Sequence, residues 1–175
     1  MFAPLTITSA LLLAVISVAI IYTDIRYRRI PNKLVLVALI SGLAINTLFG
    51  GSAGLLFSLG GFGLAFALTL LLHLFGTLGA GDVKLFGAIG SIVGVSLVLP
   101  TLLVVAIVGG ALAVCKMLYT RTAGITLLNV AQFFVGRLSG VGAPHFAAAT
   151  DRRRTIPYGV AICVGSLVSL FVFRA

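Results

Sequence analysis

Only three of the 175 residues are acidic, and they are Asp24, Asp82 and Asp151. Asp24 stands in YTDIRYRRIPNK and Asp82 in GAGDVKL, so each lies where a long apolar run meets a short polar segment. Two carboxylates that share one proton can hydrolyse a peptide bond, because the ionised one activates water while the protonated one polarises the carbonyl. We therefore take Asp24 and Asp82 as candidate catalytic residues, and we expect neither a metal nor another cofactor.

Each aspartate also has an ordinary structural interpretation. An aspartate before a helix is commonly a cap, and one beside arginines commonly forms an ion pair. Gly79 and Gly81 precede Asp82 and allow close approach by another chain, so a substrate strand could lie against them. Asp151 lies in the polar segment TDRRRT, where an exposed pairing or capping role fits better than catalysis.

The other reactive side chains point to no second site. Cys115 and Cys163 lie in apolar runs without CxxC spacing, so we expect small core residues rather than a disulfide or a zinc site. His73 lies in LTLLLHLF, where a packed or hydrogen-bonded histidine is commoner than a ligand. His145 lies in a loop with no partner ligand nearby, and no serine, histidine and acid arrangement stands out.

The composition is that of an integral membrane protein. Hydrophobic residues make up 61% of the chain and charged residues 9%, with a mean hydropathy of +1.27. A soluble domain of this size could not bury so much apolar surface. The net charge is +9, but no basic stripe is interleaved with aromatic residues. We therefore expect basic rims against anionic membrane lipids and no nucleic-acid partner.

The apolar runs predict an all-α, polytopic membrane protein with about six transmembrane helices in a single domain over residues 1–175. A membrane-spanning helix needs about 20 apolar residues, and the run 2–22 is too long for a signal-peptide core. The fourth segment is short and glycine-rich, and its small residues at spacings of four predict close packing inside the bundle. The predicted helices cover about residues 3–22, 33–49, 54–76, 83–95, 97–119 and 156–173.

The basic residues predict the orientation of these helices, because cytoplasmic loops carry an excess of Lys and Arg. Eleven of the twelve Lys and Arg residues fall in or beside the connections between helices 1 and 2, 3 and 4, and 5 and 6. Only Arg174 falls on the opposite side. Both termini should therefore face away from the cytoplasm, and all three aspartates, with the active site, should lie toward the cytoplasmic face.

The connection at about residues 120–155 is the longest polar stretch. Within it, ITLLNVAQFFVGRL places apolar residues at helical spacing opposite Asn129, Gln132 and Arg137. This pattern suits a helix that lies in the membrane surface. A plain cytoplasmic linker helix is the alternative.

Three blocks of the chain resemble the type IV prepilin peptidases, which are intramembrane aspartic proteases of the GxGD class. The blocks are DIRYRRIPN from Asp24, GAGDVKL from Gly79 and IPYGVAICVG from Ile156. The resemblance implies that Asp24 and Asp82 form the catalytic dyad. It also implies that the substrate is a type IV prepilin or pseudopilin, whose basic leader is removed on the cytoplasmic side. We assign no chemistry to the third block.

The longer members of that family carry an N-terminal region with cysteine pairs and also methylate the new N-terminus. Here the first predicted helix begins almost at Met1 and the cysteine quartet is absent, so the resemblance implies a peptidase without methyltransferase activity. The chain is similar to the short peptidases of tight-adherence pilus systems and to archaeal preflagellin and prepilin peptidases. This implies the bacterial inner membrane, with an archaeal cell membrane as the alternative.

The leader peptide and the cytoplasmic face of the enzyme are both basic, so electrostatic forces alone should repel the substrate. We expect the apolar helix of the pilin to enter the bilayer beside the bundle, while Lys84 pairs with an acidic residue early in the mature pilin. Gly79, Gly81 and Lys84 are therefore the candidate substrate-binding residues. The sequence leaves the oligomeric state open.

Two rival functions remain on the sequence alone. A small cation- or proton-coupled transporter should carry its acids near the midplane on broken helices, often in repeated halves. A noncatalytic scaffold of a pilus or secretion machine would tolerate the loss of both aspartates. The position of Asp24 and Asp82 toward one basic face favours the peptidase.

Overall fold

The described part of the chain is built from helices. A computed structural model describes residues 3–76, 78–119 and 158–174, and these contain no strand. The helices are α1 (Ala3–Tyr27), α2 (Asn32–Leu74), α3 (Ala80–Val93), α4 (Val98–Tyr119) and α5 (Tyr158–Arg174), with a short 3₁₀ turn at Val95–Leu97. The predicted all-α class is confirmed.

The exterior of these helices is apolar. Val15, Leu48 and Ile107 are 71%, 82% and 63% exposed, an arrangement that suits lipid and not water. The segments Ile7–Tyr27, Asn32–Leu74 and Val95–Tyr119 are each long and apolar enough to cross a membrane, and Tyr158–Phe173 is a shorter apolar helix. The protein is a membrane protein, while the count of six crossings stays a prediction.

Helix α1 extends beyond its predicted end at residue 22. Hydropathy marks the apolar part of a helix, and here the hydrogen-bonded backbone continues through the polar residues up to Tyr27. Asp24 therefore lies inside α1. The helix ends where Arg28 takes a left-handed conformation, with φ of 53°, and its N–H donates to the Asp24 carbonyl over 3.0 Å. Pro31 then precedes α2.

Helix α2 is broken at Gly51, where the φ of 58° and ψ of −141° are not helical. A straight helix would hold Asn46 and Gly54 about 12 Å apart, yet a Cβ on Gly54 would meet the Asn46 carbonyl oxygen. The chain therefore turns back sharply at the predicted connection between residues 49 and 54. We call the parts before and after Gly51 the first and second arms of α2.

Both arms of α2 pack against α3. In the first arm, a Cβ on Gly42 would lie 2.8 Å from Ile92 Cγ1, and in the second arm Gly61 faces the carbonyl of Gly90. Every residue of α3 from Leu85 to Val93 is buried. The prediction that this glycine-rich segment is central is confirmed. Because the rest of α3 is enclosed by other helices, the position of Asp82 in its first turn is fixed.

Helix α5 packs against both α1 and α4. Its Ile162, Cys163 and Leu170 share a buried cluster with α1 residues, and its Ser169 shares a hydrogen bond of 2.8 Å with Thr101 of α4. Cys163 is buried as expected, whereas Cys115 is exposed. The expectation of a core position is wrong for Cys115, because an apolar run does not distinguish a core-facing residue from a lipid-facing one.

The chain divides into two compact units, Met1–Gly109 with Pro157–Ala175, and Gly110–Ile156. All the geometry of the candidate site belongs to the first unit. In the second unit only the end of α4 is described, so the predicted surface helix within residues 120–155, His145 and Asp151 lie outside the described residues. The single-domain assignment stays a prediction.

Candidate active site

Asp24 is buried near the end of α1, with 7% of its surface exposed. Its carboxylate faces the backbone N–H groups of Gly159 and Val160, and the charge of Arg28 acts on it. Its Oδ2 atom is fully buried and accepts no well-formed hydrogen bond from the described residues. A buried carboxylate oxygen without a donor is costly, so the burial of Asp24 does not by itself stabilise the fold.

Asp82 lies in the first turn of α3 and is partly buried. Its Oδ2 accepts a hydrogen bond of 3.2 Å from the Gly79 N–H, so it does cap its own helix. Burial nevertheless raises the pKa of Asp82 to about 6, the Gly79 N–H acts against this, and the charge of Asp24 adds to it. A simple exposed cap would have a low pKa, so the raised value indicates more than a capping role.

The two aspartates converge on Ile30, in the connection between α1 and α2. A Cβ on Gly159, beside Asp24, would lie 3.4 Å from Ile30 Cδ1. A Cβ on Gly81, beside Asp82, would lie 3.8 Å from the same atom. The effect of the Asp24 charge on Asp82 agrees with this convergence. Two aspartates 58 positions apart in sequence thus lie near the same side chain in the first unit.

A cavity of about 640 Å³ opens beside Asp82. Its walls come from α2, α3, α4 and α5 and are almost wholly apolar, with Phe86, Leu102 and Ile162 among them. Asp82 is the one carboxylate among the described residues that line it, and Tyr158 contributes a phenol. A cavity of this kind can take apolar side chains next to a carboxylate.

The candidate substrate-binding residues lie on the outside of the same turn. Gly79, Gly81 and Lys84 are all exposed, and a Cβ on Gly79 would lie 3.0 Å from Asp82 Oδ2. The segment before them is held by His73, whose Nδ1 lies 2.6 Å from the Leu78 carbonyl oxygen. The hydrogen-bonded role expected for His73 is confirmed. The described residues contain no group of His, Cys and acidic side chains that could hold a metal.

Sequence reasoning missed Tyr158 and Gly159. Tyr158 lines the cavity together with Asp82 and packs on α4, where a Cβ on Gly109 would lie 3.0 Å from its Cε2 atom. Gly159 is buried against Asp24. Both stand in the IPYGVAICVG block, and a Pro-Tyr-Gly sequence at the start of a helix was the available signal.

A sequence model of the type IV leader peptidase family matches residues 11–114. The matched segment contains both Asp24 and Asp82 and ends before α5. No curated protein and no solved structure matches the chain. Because the family match covers more than half of the 175 residues, the chain belongs to the type IV leader peptidase family.

Proposed function

We propose that this peptidase is an intramembrane aspartic endopeptidase that removes the basic leader from type IV prepilins or pseudopilins on the cytoplasmic side of the membrane. Asp24 and Asp82 are its catalytic pair. The observation that carries the proposal is that both aspartates lie near Ile30, with Asp82 beside an apolar cavity. Family membership supports a peptidase, and the exposed basic residues Arg26, Arg29 and Lys33 around the same end support a cytoplasmic face.

The chemistry follows from a carboxylate pair that holds one proton. The ionised carboxylate takes a proton from water while the water oxygen attacks the carbonyl carbon, and the protonated carboxyl donates its proton to the carbonyl oxygen. In the second step the C–N bond breaks, the leaving amine takes the proton from the protonated carboxyl, and one hydroxyl of the tetrahedral intermediate gives its proton to the ionised carboxylate as the carbonyl re-forms. The pair ends with one proton, as it began.

The cavity suits the start of the apolar segment that follows the leader. We propose that apolar side chains of the mature pilin enter it beside Asp82, while the backbone around the cut bond lies over Gly79 and Gly81. Both glycines are exposed, so a strand can approach their backbone closely. In this proposed arrangement the cut bond lies next to Asp82.

Lys84 can attract the substrate even though the leader is basic, because its partner would be an acidic residue of the mature pilin. It is exposed on α3, two residues after Asp82, and we propose that it pairs with an acidic residue early in the mature pilin. If Lys84→Gln cleaves wild-type pilin and a charge-neutral pilin variant with unchanged relative efficiency, this pairing is wrong. Rescue of Lys84→Glu by a pilin with a basic residue at that position would support it.

We also propose that cleavage occurs without methylation of the new N-terminus. The chain has only two cysteines, Cys115 and Cys163, and so lacks the cysteine quartet of the methylating members. A mass spectrum of the mature pilin tests this directly, since methylation adds one CH₂ to the amine.

The proposed function is tested by co-expressing a candidate pilin with wild-type enzyme, Asp24→Asn, Asp82→Asn and Asp151→Asn, and following leader removal by gel shift. Wild type and Asp151→Asn should cleave, whereas the other two should not. Cleavage by either Asp24→Asn or Asp82→Asn would refute the dyad. A scaffold would support pilus assembly in all four cases, and a transporter would leave the leader in place in all four.

A further inference from the structure

The first turn of α5 meets the carboxylate of Asp24. The first N–H groups of a helix have no partner within it, and the helix dipole favours negative charge there. Here the N–H groups of Gly159 and Val160 face a carboxylate that comes from α1. Asp24 therefore occupies the place that a capping side chain usually takes, although it lies more than 130 residues away in sequence.

This contact requires glycine at position 159. A Cβ there would lie 2.7 Å from Asp24 Oδ2 and 3.1 Å from Asp24 Cγ. Real Cβ atoms essentially never lie as close as 2.7 Å to another atom, and Ile30 closes the remaining side at 3.4 Å. A side chain would therefore push the carboxylate away from the helix terminus. Glycine is needed at position 159 because Asp24 approaches it closely, and not because the backbone angles are unusual.

Packing along α5 fixes where this terminus lies. A Cβ on Gly165 would lie 2.8 Å from the Val105 Cα atom, and the hydrogen bond between Thr101 and Ser169 ties the next turns of α5 to α4. Tyr158, directly before Gly159, points to the cavity that contains Asp82. The Tyr158–Gly159 pair thus has one residue beside each aspartate.

We propose that Gly159 is a positioning residue, which lets the first turn of α5 hold the Asp24 carboxylate in place for the reaction with Asp82. The catalytic part of this inference rests on the proposed function. The contact itself does not, because it is a matter of packing. Two of the three atoms nearest to a Cβ on Gly159 belong to the Asp24 carboxylate, and the third is Ile30 Cδ1, so we expect the effect of a side chain there to act chiefly on Asp24.

The test compares Gly159→Ala with two matched glycine variants. Gly63→Ala is the neutral control, because nothing lies within 4 Å of a Cβ at that helical position. Gly165→Ala disturbs the packing of the same helix without touching Asp24. We expect Gly159→Ala to lower kcat on the order of 100-fold with little change in KM, because a shift of about 1 Å in a reacting group has that effect. Gly63→Ala should cleave like wild type.

A second readout does not depend on activity. The melting temperature of the detergent-solubilised protein is measured for wild type, Gly159→Ala, Asp24→Ala and the double variant. Asp24→Ala removes the atoms that the new methyl group would meet, so Gly159→Ala should lower the melting temperature by several degrees in wild type and by clearly less in Asp24→Ala. The same pair of variants at Gly165 should show no such coupling.

The outcomes separate the inference from the proposed function. Equal losses of melting temperature in both backgrounds would overturn the contact. Coupling with unchanged cleavage by Gly159→Ala would overturn the positioning role. If wild type cleaves no pilin, the proposed function fails, and the coupling between Gly159 and Asp24 alone decides whether the contact exists.

Discussion

The side-chain amide of Asn46 donates a hydrogen bond of 2.9 Å to the backbone carbonyl of Ser91, from the first arm of α2 to the end of α3. The Ser58 hydroxyl, from the second arm, donates to the same carbonyl over 2.6 Å. The last carbonyls of a helix have no partner within it, and the surroundings here are apolar. The two arms therefore cap α3 at one end while Asp82 stands at the other.

Replacing Asn46 should destabilise the fold. Asn46→Leu keeps the number and branching of the side-chain heavy atoms but leaves the carbonyls of Ser91 and Ile92 without the amide donor, which should cost about 1–3 kcal/mol of unfolding free energy. Thr47→Val is the matched control, because the Thr47 hydroxyl donates to the Leu43 carbonyl of its own helix. Thermal unfolding in detergent measures both variants. Equal stability of the two would contradict the capping role.

The contact between Gly61 and Gly90 should tolerate no side chain. A Cβ on Gly61 would meet the Gly90 carbonyl oxygen and lie 2.9 Å from Gly94 Cα. Since backbone cannot move aside cheaply, Gly61→Ala should destabilise the protein by about 1–3 kcal/mol and reduce cleavage by displacing α3. Gly63→Ala, two residues along the same arm, should do neither. A melting temperature of Gly61→Ala within error of wild type would refute this packing.

The raised pKa of Asp82 predicts a stability that depends on pH. Folding raises this pKa from 3.8 to about 6, so between these values the folded protein binds more protons than the unfolded chain. Its stability should therefore fall as pH rises through this window. Asp82→Asn keeps an acceptor for the Gly79 N–H but cannot ionise. The variant should match wild type near pH 4 and melt at a higher temperature above about pH 6.

The same carboxyl should shape the pH dependence of cleavage. The pair needs one proton, so kcat/KM should decline as pH rises above about 6, with apparent pKa values that belong to the pair. Asp151→Asn should leave this profile unchanged. A profile that stays flat up to pH 9 would show that the reaction needs no protonated carboxyl from this pair.

The bond between His73 and Leu78 should matter for catalysis more than for folding. A carbonyl oxygen only accepts, so Nδ1 of His73 donates over 2.6 Å and holds the segment that leads to Gly79. His73→Phe removes the donor and should reduce cleavage several-fold, with a loss of stability of about 1 kcal/mol. His73→Asn restores a donor at nearly the same place and should recover most of the activity. Equal activity of the two variants would contradict this role.

Local features of the sequence were sufficient for several conclusions. The apolar runs predicted an all-α membrane protein, and the glycines of α3 predicted a helix enclosed by others. Asp82 was placed at the start of a helix because the glycines before it and the apolar run after it are neighbours in sequence. The break of α2 at Gly51 was expected for the same reason. Such features depend on residues a few positions apart.

Other features depend on which helices meet, and no local pattern contains that. An apolar run suits lipid and protein equally, so it could not show that Cys115 is exposed while Cys163 is buried. The polar residues after Tyr22 looked like a loop, yet they continue α1 and carry Asp24 to α5. The sequence by itself determined which residues could do the chemistry. Only the tertiary structure decided that Gly159 faces Asp24, because that contact joins distant helices whose packing is set by side-chain shape.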